Sequence, residues 1–204
     1  MVDSQSPAPS DTTDYEYSER LLREEVVWWK RLLDVQLPYR WNLRRLNLGF
    51  TLDLGCGLGR NLRNLNGNGV GIDHNPRSVE IARSRGLRAF TPEEFLESEF
   101  NRLESFDSIL LSHVAEHMLE NDVVVLLGDH TPLLKRRGLV VLITPQECGY
   151  RSDPTHVQFM DFASLRRITS ETGLLFVREF SFPFPRVIGR VFRYNEFVCV
   201  CRKS

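Results

Sequence analysis

No apolar run in this sequence approaches the roughly 20 residues that a membrane-spanning helix requires. Cysteine is sparse: Cys56, Cys148, Cys199 and Cys201 are the only four in 204 residues, and none forms a C-x-x-C pair. Two of them alternate along one apolar run, where a bridge is sterically poor, so reduced thiols without structural zinc are expected. An excess of either charge is also missing. With 26 Lys and Arg against 27 Asp and Glu the formal net charge is -1, which offers no bulk basic surface for duplex nucleic acid. The opening MVDSQSPAPSDTTDYEYSE is polar and acidic, with neither the basic start nor the apolar stretch of a secretory signal. The expected location is the cytoplasm.

What is present is an ordinary globular composition, 42% hydrophobic and 26% charged, enough for one domain with a real core. Residues 1–14 are rich in Ser, Pro, Thr and Asp and cannot repay the entropy of ordering, so they read as a disordered tail. Residues 15–204 read as a single domain, with 15–48 a helical cap and 49–204 the core. Within the cap Leu21, Leu22, Val26, Trp29, Leu32 and Leu33 recur at helical spacing, which predicts an amphipathic helix over 18–36 that ends before Pro38. The bland reading of the stretch that follows is a loop and short helix with Trp41 in the core and solvated arginines. Beyond it, short apolar runs alternate with helical stretches. The runs are Thr51–Leu54, Val70–Asp73, Leu87–Phe90, Phe106–Ser112 and Leu139–Thr144, each separated by enough chain for a crossover helix. This pattern predicts an α/β fold, a Rossmann-like doubly wound and mostly parallel seven-stranded sheet with helices on both faces. Leu174–Phe182 and Glu196–Arg202 lack a helical segment between them, so the last pair should be antiparallel.

The most informative stretch is a buried strand, Thr51-Leu-Asp53-Leu, that runs into Gly55-Cys56-Gly57-Leu-Gly59 and then a helix from about Arg60. Glycines here let the backbone turn sharply and approach a ligand, because no Cβ stands in the way. A phosphate-gripping loop would need Lys-Ser or Lys-Thr, which is absent, and a dinucleotide G-x-G-x-x-G would need glycine where Arg60 stands. Asp53 projects a carboxylate toward the same mouth, which suits a cationic amino group better than a pyrophosphate.

These residues resemble the class I S-adenosylmethionine-dependent methyltransferases. The family's first motif, an acid and then G-x-G-x-G, stands as Asp53, Gly55, Cys56, Gly57 and Gly59. The second, an acid closing the next strand about twenty residues on, stands as Asp73 in Gly71-Ile72-Asp73. The resemblance covers the chain from about Gln36 to its end. It implies S-adenosyl-L-methionine as cofactor, with Asp73 accepting both ribose hydroxyls. It also implies that His74, Ser112 and His113 line the site, Ser112 and His113 at the methionine end. The family's amino-terminal segment commonly folds over the cofactor, so Arg40 is expected to clamp its carboxylate, with Tyr39 as companion. The third acid of the family is missing: Phe90-Thr91-Pro92-Glu93 offers a threonine, which caps a helix opening at Glu93.

The sulfonium already activates the methyl group, so the protein must align an acceptor, exclude water and, where needed, remove a proton. Four of the five histidines, His74, His113, His117 and His156, fall where strand ends would gather them, while His130 reads as solvated beyond a polar helix. His113 and His117, four apart, would share a helix face with Glu116. Ubiquinone-biosynthesis O-methyltransferases show a related E-x-x-E-H cluster that can hold a divalent metal, and here only Glu116 and His117 match it. Magnesium prefers oxygen ligands, so a capping Glu116 and a packed His117 are preferred to a metal site. His117, His156 and His113 are the candidate catalytic residues. His156 lies in a long polar loop after the fifth strand, within a D-x-x-H-x-x-x-F-like element.

The connection from Phe182 to Tyr194 holds Arg186, Arg190 and Arg193 without an acid. It could cover an acceptor pocket, make a homodimer contact or receive an anion, although solvated arginines round a hydrophobic cover are preferred. The expected function is O-methylation of a hydroxyl on a small metabolite, sugar or natural product. An RNA-modifying enzyme is the alternative, disfavoured because Ser112-His113-Val114-Ala115 stands where base-amino methyltransferases carry Asn/Asp-Pro-Pro-aromatic. The other is a catalytically inactive cofactor-binding regulatory subunit.

Overall fold

The computed structural model describes residues 37–204; the tail expected over 1–14 and the helix expected over 18–36 lie outside the described residues. The elements run α1 (Leu37–Arg45), β1 (Thr51–Leu54), α2 (Arg60–Asn64), β2 (Gly69–Ile72), α3 (Pro76–Ser84), β3 (Ala89–Phe90), α4 (Pro92–Leu96) and β4 (Phe106–Ser112). They continue with α5 (Glu120–His130), β5 (Leu134–Pro145), α6 (Glu147–Tyr150), α7 (Phe162–Glu171), β6 (Leu175–Phe182) and β7 (Glu196–Arg202), with 3₁₀ turns at Ala115–His117, Thr131–Leu133 and Arg186–Arg190.

The seven strands form one sheet in the order β3-β2-β1-β4-β5-β7-β6. All neighbours are parallel except β7, which is antiparallel to both β5 and β6. The central strands turn apolar residues to both faces because both are covered. Ile109 and Leu111 of β4 and Val140 and Leu142 of β5 pack with Val123 and Leu127 of α5 and Leu165 and Ile168 of α7. The alternate residues Leu110, Val141 and Ile143 pack on the other face with Leu43, Leu46 and Leu48 of α1 and the turn after it.

Pro38 sits in the first turn of α1, where its missing N–H has no intrahelical partner to lose. The bland reading of Trp41 as core does not hold: it is 57% exposed, lying over Phe182 at 6.3 Å with the Arg45 guanidinium 4.7 Å from its ring and 4.6 Å from Phe180. Nor is Arg44 solvated, since it donates to the Asn64 carbonyl and to Asn66 Oδ1 and so ties α1 to the end of α2.

β1 is followed by strands on one side of it, β2 and β3, and then by β4 and β5 on the other. The loops leaving the carboxyl ends of β1 and β4 therefore diverge and leave a crevice between them, the usual position of a ligand on such a sheet. Asp53 and Leu110 are paired across these strands, and Leu54 with Leu111. Everything downstream of that register, Gly55 on one side and Ser112 and His113 on the other, opens on the same mouth.

If the core lies where the two apolar faces meet the sheet, Leu142→Ala, fully buried, should lower unfolding free energy by about 2–5 kcal/mol. Leu175→Ala, at a position 57% exposed on β6, should move it by less than about 0.5 kcal/mol. Urea titrations of both variants check this, and equal losses would misplace the core.

Candidate active site

The glycine loop is held close to the end of β2: the N–H groups of Gly55 and Cys56 both donate to the Ile72 carbonyl, at 2.8 and 3.0 Å. Gly55 has φ +72°, and a Cβ there would fall 2.3 Å from Val114 Cγ2, so the loop and the end of β4 approach too closely for a side chain. Gly57, at φ +51°, has nothing within 4 Å of where its Cβ would be. Its bare backbone faces open space at the mouth, the arrangement that lets a ligand reach the main chain.

Both expected acids lie at this loop. Asp73 Oδ2 accepts from the Gly57 N–H at 2.7 Å and Oδ1 from the Asn75 N–H at 2.9 Å, so the carboxylate orients the loop and retains lone pairs for a second partner. Asp53 is completely buried. Its Oδ1 accepts from Asn61 Nδ2 at 3.3 Å, whereas Oδ2 has no hydrogen-bond partner among the described residues. Burial pushes its carboxyl up to about 7; Asn61 and Arg60 oppose the shift and Asp73 adds to it. An unsatisfied buried acceptor beside an open glycine is a place where an ammonium or other donor fits.

The cap residues flank the mouth. Tyr39 donates its phenol hydrogen to the Tyr194 carbonyl at 2.6 Å, and burial, with Glu196 adding, holds its pKa far above the ordinary tyrosine value. Arg40 follows on α1, part-buried, and α1 lies against α2. His74 is half-exposed, its Nδ1 3.9 Å from Asp73 Oδ1, and Ser112 is buried at the end of β4.

The helix face expected to join His113, Glu116 and His117 does not form. His113 follows β4 with φ +59°, and only Ala115–His117 make a single 3₁₀ turn. His113, left-handed and ahead of that turn, places its Nδ1 3.2 Å from Glu116 Oε1, while His117 Nδ1 lies 3.1 Å from the Thr155 carbonyl. His113 Nε2 meets Glu196 Oε1 at 2.8 Å. Burial alone would lower the His113 pKa, but Glu116 and Glu196 outweigh it and raise it to about 9, so at neutral pH this imidazole is a cation and not a proton acceptor. His117 is the reverse: burial lowers its pKa more than Glu116 and the Thr155 carbonyl raise it, leaving it neutral.

His156 also joins this group. Its Nδ1 lies 2.6 Å from the Tyr150 carbonyl, its ring stacks on Tyr150 and meets His117 edge to face at 4.9 Å, and its Nε2 stands 4.0 Å from Glu116 Oε1. His130 closes α5 away from the cluster. It is not simply solvated, since its Nδ1 lies 2.8 Å from the Leu126 carbonyl. Arg186 is likewise not solvated: it makes a two-pronged pair with Glu147 and lies over Phe197 at 4.7 Å.

Three residues at the mouth escape a reading of the sequence. Glu196 opens β7 opposite Pro145, Asn195 precedes it, and Gln146 follows β5. The Gln146 amide donates to Ser181 Oγ and to the Glu196 carbonyl, and Asn195 Nδ2 donates to Gln146 Oε1. The signal was the antiparallel last strand, because a reversed strand brings its first residues, not its last, to the carboxyl ends of its parallel neighbours.

Residues 52–142 match the model of a methyltransferase domain family. No curated protein matches the sequence. Among solved structures, a S-adenosylmethionine-dependent methyltransferase from Archaeoglobus fulgidus is similar at 19% identity and TM-score 0.62, over 93% of this chain and all (100%) of that one. Magnesium protoporphyrin IX methyltransferase from Synechocystis with bound S-adenosylhomocysteine aligns at 15% identity and TM-score 0.65, covering 95% of this chain and 97% of that one. A possible histamine N-methyltransferase from Thermotoga maritima aligns at 18% identity and TM-score 0.66, over 93% and 99%. These likenesses share the fold. Among the described residues no helix is long and apolar enough to cross a membrane.

The state of Asp53 has a pH signature. Its folded value of about 7 exceeds the ordinary 3.8, so between them the folded protein keeps a proton that the unfolded chain releases, and stability falls as pH rises through that window. Asp53→Asn should therefore melt higher than the parent, without added ligand, at pH 8, and the gap should narrow toward pH 4. Thermal melting across this range checks it; a gap that does not change with pH would remove Asp53 as its source.

Proposed function

We propose that this chain is a class I S-adenosylmethionine-dependent methyltransferase that methylates a hydroxyl group of a small molecule, with His117 as the base. The observation that carries the reading is the neutral His117 imidazole. Its Nδ1 is anchored on the Thr155 carbonyl, which leaves Nε2 free to accept a proton just beyond β4. When bound, S-adenosylmethionine supplies an activated methyl group. A hydroxyl is a poor nucleophile until its proton leaves, so a neutral imidazole within reach suits it, with an effect of about 10²–10⁴-fold.

In this reading the cofactor rests on the loop of Gly55, Cys56, Gly57 and Gly59. Asp73 accepts the ribose hydroxyls, the orphaned Oδ2 of Asp53 takes the ammonium group, and Arg40 takes the carboxylate. Tyr39, His74, Ser112 and the cationic His113 complete the walls. His156, stacked on Tyr150, supports His117 edge to face and is the second candidate base.

Calorimetry with S-adenosylmethionine and S-adenosylhomocysteine should give saturable binding that weakens at least about tenfold in Asp73→Ala, a loss of about 1.4 kcal/mol. Arg40→Ala should weaken it too, whereas Arg44→Ala, whose side chain is committed to α2, should not. Equal affinities for parent and Arg40→Ala would take this arginine out of the site.

Once an acceptor is found by mass spectrometry of a metabolite extract incubated with labelled cofactor, His117→Ala should keep cofactor affinity and lose turnover by more than about tenfold. A base must be deprotonated to act, so turnover should climb with pH through an apparent pKa below the ordinary 6.5 of histidine. Wild-type rates in both His117→Ala and His156→Ala would leave alignment alone to carry the reaction.

A further inference from the structure

Glu116 is the least accommodated charge at the mouth. Its side chain is 1% exposed, and neither carboxylate oxygen has a hydrogen-bond partner among the described residues. Two imidazole nitrogens stand at Oε1, His113 Nδ1 as an ion pair at 3.2 Å and His156 Nε2 at 4.0 Å, and Oε2 has neither. His113 is held independently by Glu196 at 2.8 Å. A carboxylate this deeply removed from water persists where a further cation completes its surroundings.

The neighbouring histidines are prepared in the same sense. A carbonyl oxygen only accepts, so the contacts of His117 Nδ1 with the Thr155 carbonyl and of His156 Nδ1 with the Tyr150 carbonyl place the ring hydrogen on Nδ1 in both. Each Nε2 then keeps its lone pair. Orientation of an imidazole by a backbone carbonyl at the far nitrogen is how proteins fix histidines that ligate metals. Glu116, His117 and His156 each offer one ligand atom, and these atoms lie within 4.8 Å of one another.

We infer that Glu116, His117 and His156 form a binding site for one borderline divalent cation of the zinc type. The segments that carry them are joined at the site itself, since the Glu116 carbonyl accepts from the Val157 and Gln158 N–H groups at 2.7 and 3.2 Å. Two nitrogens and one oxygen select zinc-like ions over magnesium, which takes oxygen ligands in octahedral array. A tetrahedral ion with bonds of about 2.0–2.2 Å holds its ligand atoms about 3.4 Å apart. The three ligand atoms, within 4.8 Å of one another, would draw together to that spacing around the ion. Three protein ligands leave the fourth position of such an ion open. The inference does not depend on which acceptor is methylated, but ion and proton would compete for the same Nε2 of His117.

The full chain, stripped with chelator and dialysed, should bind about one equivalent of zinc in calorimetry and show negligible heat with magnesium. Cobalt(II), used as a visible probe, should give the intense absorption of four-coordinate nitrogen and oxygen ligation. Glu116→Gln and His156→Gln should each weaken zinc binding by more than about tenfold, and His130→Gln, outside the cluster, should leave it unchanged. Thermal melting establishes that the variants are folded, and the cobalt spectrum of the parent stands even where a variant is not. Absence of saturable zinc binding, binding indifferent to both substitutions, or an octahedral cobalt spectrum would each overturn the site. Metal content is read without turnover, so a failed methyl-transfer assay leaves this inference standing, and absent zinc leaves His117 available as a base.

Discussion

The parallel pairing of β1 with β4 is the constraint on which the rest of this molecule depends. It sets Asp53 across from Leu110 and Leu54 across from Leu111, and so brings the glycine loop and the His113–His117 segment to the same height on the sheet. The contact is close enough that a side chain at Gly55 would collide with Val114. A one-residue slip of β4 would reverse its faces, putting Ile109 and Leu111 where Leu110 now packs under α1. The apolar alternation of the core thus protects the geometry of the mouth.

That mouth is rich in carboxylates and poor in partners for them. Asp53 and Glu116 are both fully buried, and each keeps oxygens that no described group satisfies. Asp73 and Glu196 are instead engaged, one by backbone N–H groups of the glycine loop and one by His113. The division is chemical: Asp73 and Glu196 shape the walls, whereas Asp53 Oδ2 has no hydrogen-bond partner among the described residues and Glu116 stands against the His113 cation at 3.2 Å. His113 shows how strongly the environment decides, since two flanking carboxylates make it a cation while His117, four residues on, is kept neutral by burial.

Where a residue's role follows from its local run, the sequence was enough. β1, β4 and β7 have the bounds read from their apolar runs, and Thr91 caps α4 with the reciprocal Glu94 bond of a capping box. Where a role depends on what lies opposite, it was not. β3 was expected from Leu87, but Leu87 turns aside to pack with Cys56, Leu62 and Val79, and only Ala89–Phe90 pair. β2 ends at Ile72 rather than Asp73, because Asp73 leaves the ladder to bond the Gly57 and Asn75 amides. β5 starts five residues earlier than the apolar run, at Leu134, since the exposed Lys135, Arg136 and Arg137 conceal a strand whose first pairing partner is Phe106. The spacing of His113 and His117 suggested a shared helical face that a left-handed residue at His113 prevents. The convergence of His117 and His156 from two segments left no trace in linear spacing, and neither did Glu196.

The attachment of α1 carries a mechanical consequence. Tyr39 is bonded to the carbonyl of Tyr194 and packs its ring edge to face on Phe182 at 5.9 Å, while Trp41 lies over the same Phe182. Phe182 and Tyr194 are the two ends of the segment linking β6 to β7, so the helix beside the glycine loop and the connection beside Glu196 are fastened to each other as one wall. α1 cannot swing outward without breaking the Tyr39 bond or stripping its aromatic footing. A displacement of either side of this wall therefore strains the other.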